Sequence, residues 1–271
     1  MPELPEVETT LRGISPHLAQ RRVAGVRVRQ PRLRNRVPED LSDRLVGHTV
    51  DGLARRGKYL LLAIGGGHLL IHLGMSGSLR IVPATEPPGK HDHVDIDFDS
   101  GKTLRFTDPR RFGVVDWIVG DPFCHPLLNA LGPEPLDSEF CGSYLYQRSR
   151  GRKVPVKSLI MDSHVVVGVG NIYANESLFM AGIHPLRMSG RVGPGRYERL
   201  AECIRVVLSA AIEQGGTTLR DFVGGDGKPG YFSQSLDVYG RGGEPCVSCG
   251  RALREVRLAQ RTTVFCLTCQ R

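Results

Sequence analysis

Long apolar stretches are missing from this chain; the longest runs only from Tyr59 to Ile64, far too short to cross a bilayer. The opening MPELPEVETT is acidic and has no apolar core, so nothing reads as a secretory signal. Internal repeats and low-complexity tracts are absent as well, which excludes solenoid and disordered classes. Acidic residues are lacking from two segments that matter. Residues 21–36 (RRVAGVRVRQPRLRNR) hold seven arginines, and residues 148–157 (RSRGRKVPVK) hold five cations, with no acid in either. These absences leave an ordinary soluble chain of 271 residues, long enough for two modest domains and a small appendage, in a reducing, cytosolic location.

What is present begins at the far end. Cys246-x2-Cys249 and Cys266-x2-Cys269 are separated by sixteen residues. Two close cysteine pairs at that spacing suit tetrahedral zinc in a ribbon. Four thiolates close the coordination sphere, so such a zinc shapes the fold and performs no chemistry. A disulfide-bonded tail is the alternative, and it needs an oxidising compartment that nothing else in the chain suggests. Cys124, Cys141 and Cys203 are scattered and show no pairing pattern.

The net charge of +8 is uneven. The two basic segments and the ribbon, which has six arginines against two glutamates over 241–271, suggest a surface that follows a phosphate backbone. Alternation of Val26 and Val28 with Arg27 and Arg29 also fits the solvated face of a strand, and both readings can hold together. No amphipathic basic helix accompanies these clusters, which favours nucleic acid over a membrane.

Residues 5–20 read as a helix with Val7, Leu11, Ile14 and Leu18 on one stripe and a kink or restart at Pro16. From Val23 to about Val119, short strands follow one another: VAGVRV, YLLLAI, HLLIHL, SLRIV, HVDIDFD, TLRFT and VVDWIV. That pattern implies a sandwich or barrel. GPEPLDSEF (132–140) reads as a linker. Beyond it, Leu200, Ile204, Val207, Leu208, Ala211 and Ile212 repeat at helical spacing up to Gly215-Gly216. In HDHVDIDFD (91–99) the alternation turns Val94, Ile96 and Phe98 inward and leaves Asp95, Asp97 and Asp99 as a solvated face, with His91 at the strand entrance.

VVVGVGNIYANESLF (165–179) fails as a dinucleotide fingerprint, because Tyr173 stands where the third glycine belongs. It reads better as a helical hairpin whose Gly-rich turn presents amides near Asn171, an arrangement that can hold a phosphate. Two turns, HLGMSGS around Met75 and TDPRRFG around Arg110 and Phe112, carry large side chains. They suit core packing, or a wedge entering a duplex beside an extruded base. At the amino end, removal of Met1 would leave Pro2 as a secondary amine beside Glu3 and Glu6. Such an amine can attack a sugar carbon to give a cationic iminium.

Taken together, MPELPEVET, GKYLLL, HLGMSGSLR, KHDHVD, TDPRRFG, LGPEPL, VVGVGNIYANESLF, AGIHP, EQGGTTLRDF, DGKPGYF, VYGR and EPCVSCG…AQRTTVFCLTCQR resemble the formamidopyrimidine-DNA glycosylase family from Met1 to Arg271. The resemblance implies an α+β multidomain fold. A β-sandwich with a leading helix would occupy 1–130, a linker and helix–two-turn–helix domain 131–236, and a four-cysteine zinc finger 237–271. It implies a bifunctional glycosylase and abasic-site lyase that excises oxidised purines from duplex DNA, acting as a monomer in the bacterial cytosol. By the same resemblance Pro2 is the nucleophile, Glu3 handles protons at the opening sugar, Lys58 serves β-elimination and Arg261 δ-elimination. His91, Arg110, Arg152 and Asn171 grip DNA, while Met75, Arg110 and Phe112 fill the void. Cys246, Cys249, Cys266 and Cys269 hold one structural zinc. Lys157 lies near the same backbone path, and residues 215–230 match the loop that covers the flipped base.

Overall fold

A computed structural model describes residues 2–215 and 236–271. Apart from Gly215, the glycine-rich stretch assigned to a base-covering loop lies outside the described residues. Two compact units divide the described residues, one comprising the chain up to Asn129 with Gln214 and Gly215, the other Ala130–Glu213 with the chain from 236 onward. No described helix is long and apolar enough to cross a membrane.

The first unit opens with helix α1 (Leu4–Leu18). Val7, Ile14 and Leu18 are buried, and Leu11 packs against the same core. Pro16 does not restart the helix, which runs unbroken through it. It sits in the last turn, where its missing N–H removes one bond only two residues before the helix stops. Strands β1 (Val23–Val28), β6 (Asp92–Phe98), β7 (Lys102–Thr107) and β5 (Ser78–Pro83) form one antiparallel sheet in the order β1-β6-β7-β5. Strands β2 (Val50–Arg56), β3 (Tyr59–Ile64), β4 (Gly67–His72) and β8 (Val114–Val119) form the other, in that order. Leu60, Leu62, Leu69 and Ile71 face Val94, Ile96, Leu104 and Phe106 in one core. A short helix α2 (Leu41–Leu45) seals it with Leu41 and Leu45.

The aspartates of β6 are not a solvated face. This strand lies inside its sheet, and arginines from both neighbours cover it. Asp95 has no exposed surface and Arg105 only 1%. Arg105 donates Nε and Nη2 to the two Asp95 oxygens at 3.0 Å each, and Arg29 Nη2 reaches Oδ2 at 2.7 Å. Arg27 pairs with Asp97 at 2.7 Å. Burial works against ionisation of Asp95, but hydrogen bonds from Arg29 and Arg105 outweigh it and hold the carboxyl below the usual range. Arg27 and Arg29 are therefore ion-paired across the sheet, which offsets part of their charge although the Arg27 side chain stays 51% exposed.

In the second unit, residues 131–140 form turns without helix or strand. Helices α3 (Gly142–Ser149), α4 (Val156–Ile160), α5 (Asn171–Met180) and α6 (Pro194–Glu213) follow. Helix α6 packs on α3 and α5 through Tyr197, Leu200, Ile204, Leu208 and Ala211. Helix α5 is buried on almost every side from Ile172 to Phe179, so its polar residues must find partners. The chain ends in a hairpin of β9 (Arg254–Leu258) and β10 (Arg261–Phe265) between the cysteine pairs. A small core of Phe179, Val238, Cys246, Leu253, Val264 and Cys266 supports it.

Candidate functional site

Strand register fixes one end of the sandwich. Tyr59 pairs with His72 and His72 with Val114. The turn before Tyr59, the loop after His72 and the loop before Val114 therefore meet at the same end. They carry Lys58, Met75 and the pair Arg110 and Phe112, respectively. Arg55 ties the Lys58 turn to α1, donating Nε to Glu8 Oε2 at 2.9 Å and Nη1 to Gly57 O at 3.1 Å.

Pro2 and Glu3 lead into α1 and both are buried, Glu3 to 2% exposure. The backbone N–H of Glu3 donates to Glu6 Oε2 at 2.7 Å, one arm of a capping box. The positive end of the helix thus faces Pro2 and Glu3, where it favours a carboxylate and disfavours a protonated amine.

Asp108 organises the two wedge-bearing loops. It is fully buried, and its Oδ1 accepts the Ser76 hydroxyl at 2.8 Å and the Arg110 N–H at 3.3 Å. Oδ2 accepts the Gly113 N–H at 2.8 Å. Its carbonyl meets His93 Nε2 at 2.8 Å, and its N–H donates to His91 O at 3.0 Å, which brings His91 beside Arg110. Gly74 lets the loops touch: its φ is +66°, and a Cβ there would stand 2.5 Å from the Phe112 carbonyl carbon. Phe112 is 44% exposed, with the Arg110 guanidinium 4.9 Å from its ring centre. Its partly exposed neighbour Met75 completes the apolar tip. His72 accepts the Gly74 N–H at 3.0 Å. Burial, then the charges of Lys58 and Arg34, lower its pKa to about 4, so it is neutral and available as an acceptor.

The second unit builds a separate constellation around Arg261. The β9–β10 turn places Ala259 and Gln260 at φ of +46° and +62°, which costs non-glycine residues about 1–3 kcal/mol each. Side chains from α4 and α5 hold the strand that follows. Lys157, 1% exposed, donates to Thr262 O at 3.0 Å and Thr263 Oγ1 at 2.8 Å. Asn171 Nδ2 reaches the same Thr262 carbonyl at 3.1 Å, and Asn175 Oδ1 accepts the Val264 N–H at 3.0 Å. Glu176 accepts the backbone N–H groups of Asp237, Val238 and Tyr239. A cavity of about 220 Å³ opens beside Arg261, lined by Lys157, Ser158, Met161, Leu258 and Ala259. Asn171 begins α5 as expected, yet its side-chain amide points into the hairpin. Arg152 Nη1 stands 3.5 Å from Asp162 Oδ2.

The four cysteine sulfurs lie within 4.8 Å of one another, with Cys246–Cys269 at 3.9 Å and Cys249–Cys266 at 3.5 Å. A tetrahedron with Zn–S bonds near 2.3 Å gives sulfur separations of about 3.8 Å, whereas a disulfide needs about 2.05 Å. Zinc fits and disulfides do not. Burial and the neighbouring sulfurs push Cys269 up to about 12, so four thiolates need a cation to coexist here.

Asp108, Asn175 and Glu176 went unrecognised in the sequence, and Lys157 was noticed without its role. The available signal was polar residues inside an apolar helical run, NIYANESLF, and an Asp-Pro turn immediately before Arg110.

Three family models match: the formamidopyrimidine-DNA glycosylase N-terminal domain over residues 1–115, its H2TH domain over 131–223, and the zinc finger found in FPG and IleRS over 243–271. A formamidopyrimidine-DNA glycosylase of Syntrophotalea carbinolica is 62% identical over 271 residues, all of both chains. The crystal structure of MutM (Fpg) from Thermus thermophilus superposes with a TM-score of 0.89 at 38% identity, covering 99% of this chain and 98% of that one. Lactococcus lactis Fpg in complex with Fapy-dG-containing DNA gives 0.90 at 32% identity, covering 99% and 100%.

Proposed function

The chain belongs to the formamidopyrimidine-DNA glycosylase family, and from that premise we propose that Pro2, which heads the chain once Met1 is removed, is its nucleophile. The protein is a DNA glycosylase of base excision repair with abasic-site lyase activity, and it carries a structural zinc ion. Its substrate is duplex DNA holding an oxidised purine, 8-oxoguanine or a ring-opened formamidopyrimidine. It acts as a monomer in the bacterial cytosol, away from membranes.

In this reading the Pro2 nitrogen bonds to C1′ of the damaged nucleotide as the C1′–base bond breaks and the base departs with a proton. Glu3, a carboxylate at rest, takes the proton that the Pro2 nitrogen sheds after bonding to C1′ and passes it to O4′ as the C1′–O4′ bond opens, leaving an iminium between C1′ and Pro2. That cation draws electrons from C2′, so loss of a C2′ proton expels the 3′ phosphate, with Lys58 in the proton path. A second elimination expels the 5′ phosphate. Arg261 serves that step mainly through its charge, because a guanidinium holds its proton too tightly to be an easy acid. Zinc stays outside the chemistry and holds the hairpin that presents Arg261. Met75, Arg110 and Phe112 fill the space of the extruded nucleotide, and His91, Arg152 and Asn171 secure the strand. The domain boundaries proposed are 1–130, 131–236 and 237–271.

The observation that carries the assignment is the burial of Pro2 and Glu3 at the positive end of α1, where the helix dipole favours the neutral amine that removal of Met1 would leave, while the carboxylates of Glu3 and Glu6 oppose it. Cyanoborohydride trapping on a duplex with 8-oxoguanine opposite cytosine tests it. The expected result is a covalent protein–DNA adduct with the wild type, none after Pro2→Gly, and phosphate on both margins of the gap. Adduct formation undiminished by Pro2→Gly would overturn the assignment. Preferential release of thymine glycol over 8-oxoguanine would move the substrate to oxidised pyrimidines.

A further inference from the structure

Ile64 pairs with Gly67 and Gly67 with Val119, so the Gly65–Gly67 turn and the tail of β8 lie at the sandwich end opposite Lys58. At about 3.3 Å per residue, β3 separates the two ends by roughly 20 Å. An open cavity of about 220 Å³ sits there, walled by Trp117, His48, Arg44, Val119 and the glycine turn. The turn has no side chains because two rings need its surface. A Cβ on Gly67 would stand 2.3 Å from Trp117 Cζ2, and one on Gly65 would stand 2.7 Å from His48 Cγ. Trp117 Nε1 is shielded from solvent, yet among the described residues it meets no acceptor.

The occupant follows from size, edge and charge. Drug-sized ligands need roughly 300–1,000 Å³, so this cavity is too small for them and suits a single apolar anchor of a partner chain. β8 is an edge strand, but Asp116 Oδ1 accepts the Trp117 backbone N–H at 2.8 Å and blocks strand addition there. A side chain can enter where a strand cannot pair. Val119 in the wall is 74% exposed, and in the chain next to the wall residue His48, Arg22 Nε holds the Gly47 carbonyl at 2.8 Å. Asp40 Oδ2 engages Nε and Nη2 of Arg44, at 2.7 and 2.6 Å, and Nη1 has no partner among the described residues.

We propose that this pocket docks an acidic segment of a partner protein, which inserts one aromatic or large aliphatic side chain against Trp117 and sets carboxylates beside Arg44 and Arg22. Docking there leaves the Lys58 end of the sandwich uncovered, so the partner can hold the enzyme while that end works.

Trp117 is the only tryptophan in the chain, so its fluorescence reports on this pocket alone. The probe is an acetylated, amidated pentapeptide with a central phenylalanine flanked by aspartate and glutamate, titrated into the full-length zinc-loaded protein. A saturable change in Trp117 emission is expected. Arg44→Glu and Val119→Asp should each weaken binding about tenfold while circular dichroism and base release stay at wild-type levels. The proposal fails if emission does not change at millimolar peptide, or if an alanine-centred peptide titrates equally well. It also fails if N-acetylphenylalanine amide alone binds as tightly, which would make the cavity a small-molecule site, or if Arg44→Glu leaves the affinity unchanged.

Discussion

The sandwich and the zinc-bearing unit solve one problem with opposite charges. In the sandwich a buried anion, Asp108, gathers N–H and O–H donors from two loops and fixes the Met75 and Phe112 tips. In the second unit a buried cation, Lys157, gathers a carbonyl and a hydroxyl from β10 and fixes the strand that Arg261 opens. The supporting cores differ too. The sandwich buries a large apolar cluster from both sheets and α1, whereas the ribbon has only a few buried residues, two of them metal-site cysteines. One region can hold its loops through packing, and the other depends on a metal and on polar clamps.

Removing zinc sharpens that contrast most. Structural zinc contributes on the order of 10 kcal/mol to isolated fingers. Chelation should abolish amide protection over residues 243–271 and leave that of β3, β4 and β7 in place; a ribbon still protected without metal would erase the distinction. Next comes the ion pair inside the first sheet. Arg105→Ala leaves the buried Asp95 carboxylate with Arg29 as its only short-range ion-pair partner among the described residues and should cost about 3–5 kcal/mol in urea unfolding. The double change Arg105→Met with Asp95→Leu should cost far less. Equal losses would show that the pair's geometry, not the charge left short of partners, sets the cost.

Asp108→Asn and Lys157→Met test the two clamps directly, each at about 1–3 kcal/mol. The amide shifts should not cross over: the first variant should disturb residues 73–77 and 108–113, the second residues 259–264. The smallest effect near neutrality concerns pH. The folded pKa of His72, about 4, lies below the unfolded value of about 6.5, so acid favours the unfolded state. Its contribution is complete above pH 6.5 and is lost as the pH falls toward 4. Burial also lowers His184, which packs on Phe265, so the second unit should show a slope of the same sign. His72→Gln should flatten the slope of the sandwich alone in a pH series of thermal melts.

Where local pattern governs, the sequence was readable. YLLLAI, HLLIHL and VVDWIV are strands because apolar residues of that density have nowhere to go but a two-sided core. Strand β2 escaped because a register shift between Val50 and Gly52 breaks its alternation. Asp95 was misread for a different reason: alternation correctly turns it to the outer face of the sheet, but the pattern cannot say that Arg105 and Arg29 cover that face. The candidate site divides the same way. The loops around Met75 and Phe112 were legible as turns carrying large side chains, while Asp108 beneath them was not.

The chain's own order of residues determined the strands, the helical stripes, the four-thiolate metal set and the family. Those follow from periodicity and from spacings short enough to be read along the backbone. Tertiary structure alone decided which charges are spent inside and which remain for a ligand. Arg29 meets the buried Asp95 across 66 positions, and Lys157 meets Thr263 across 106. A buried charge persists only where a distant segment supplies its partner, and no local pattern encodes that encounter.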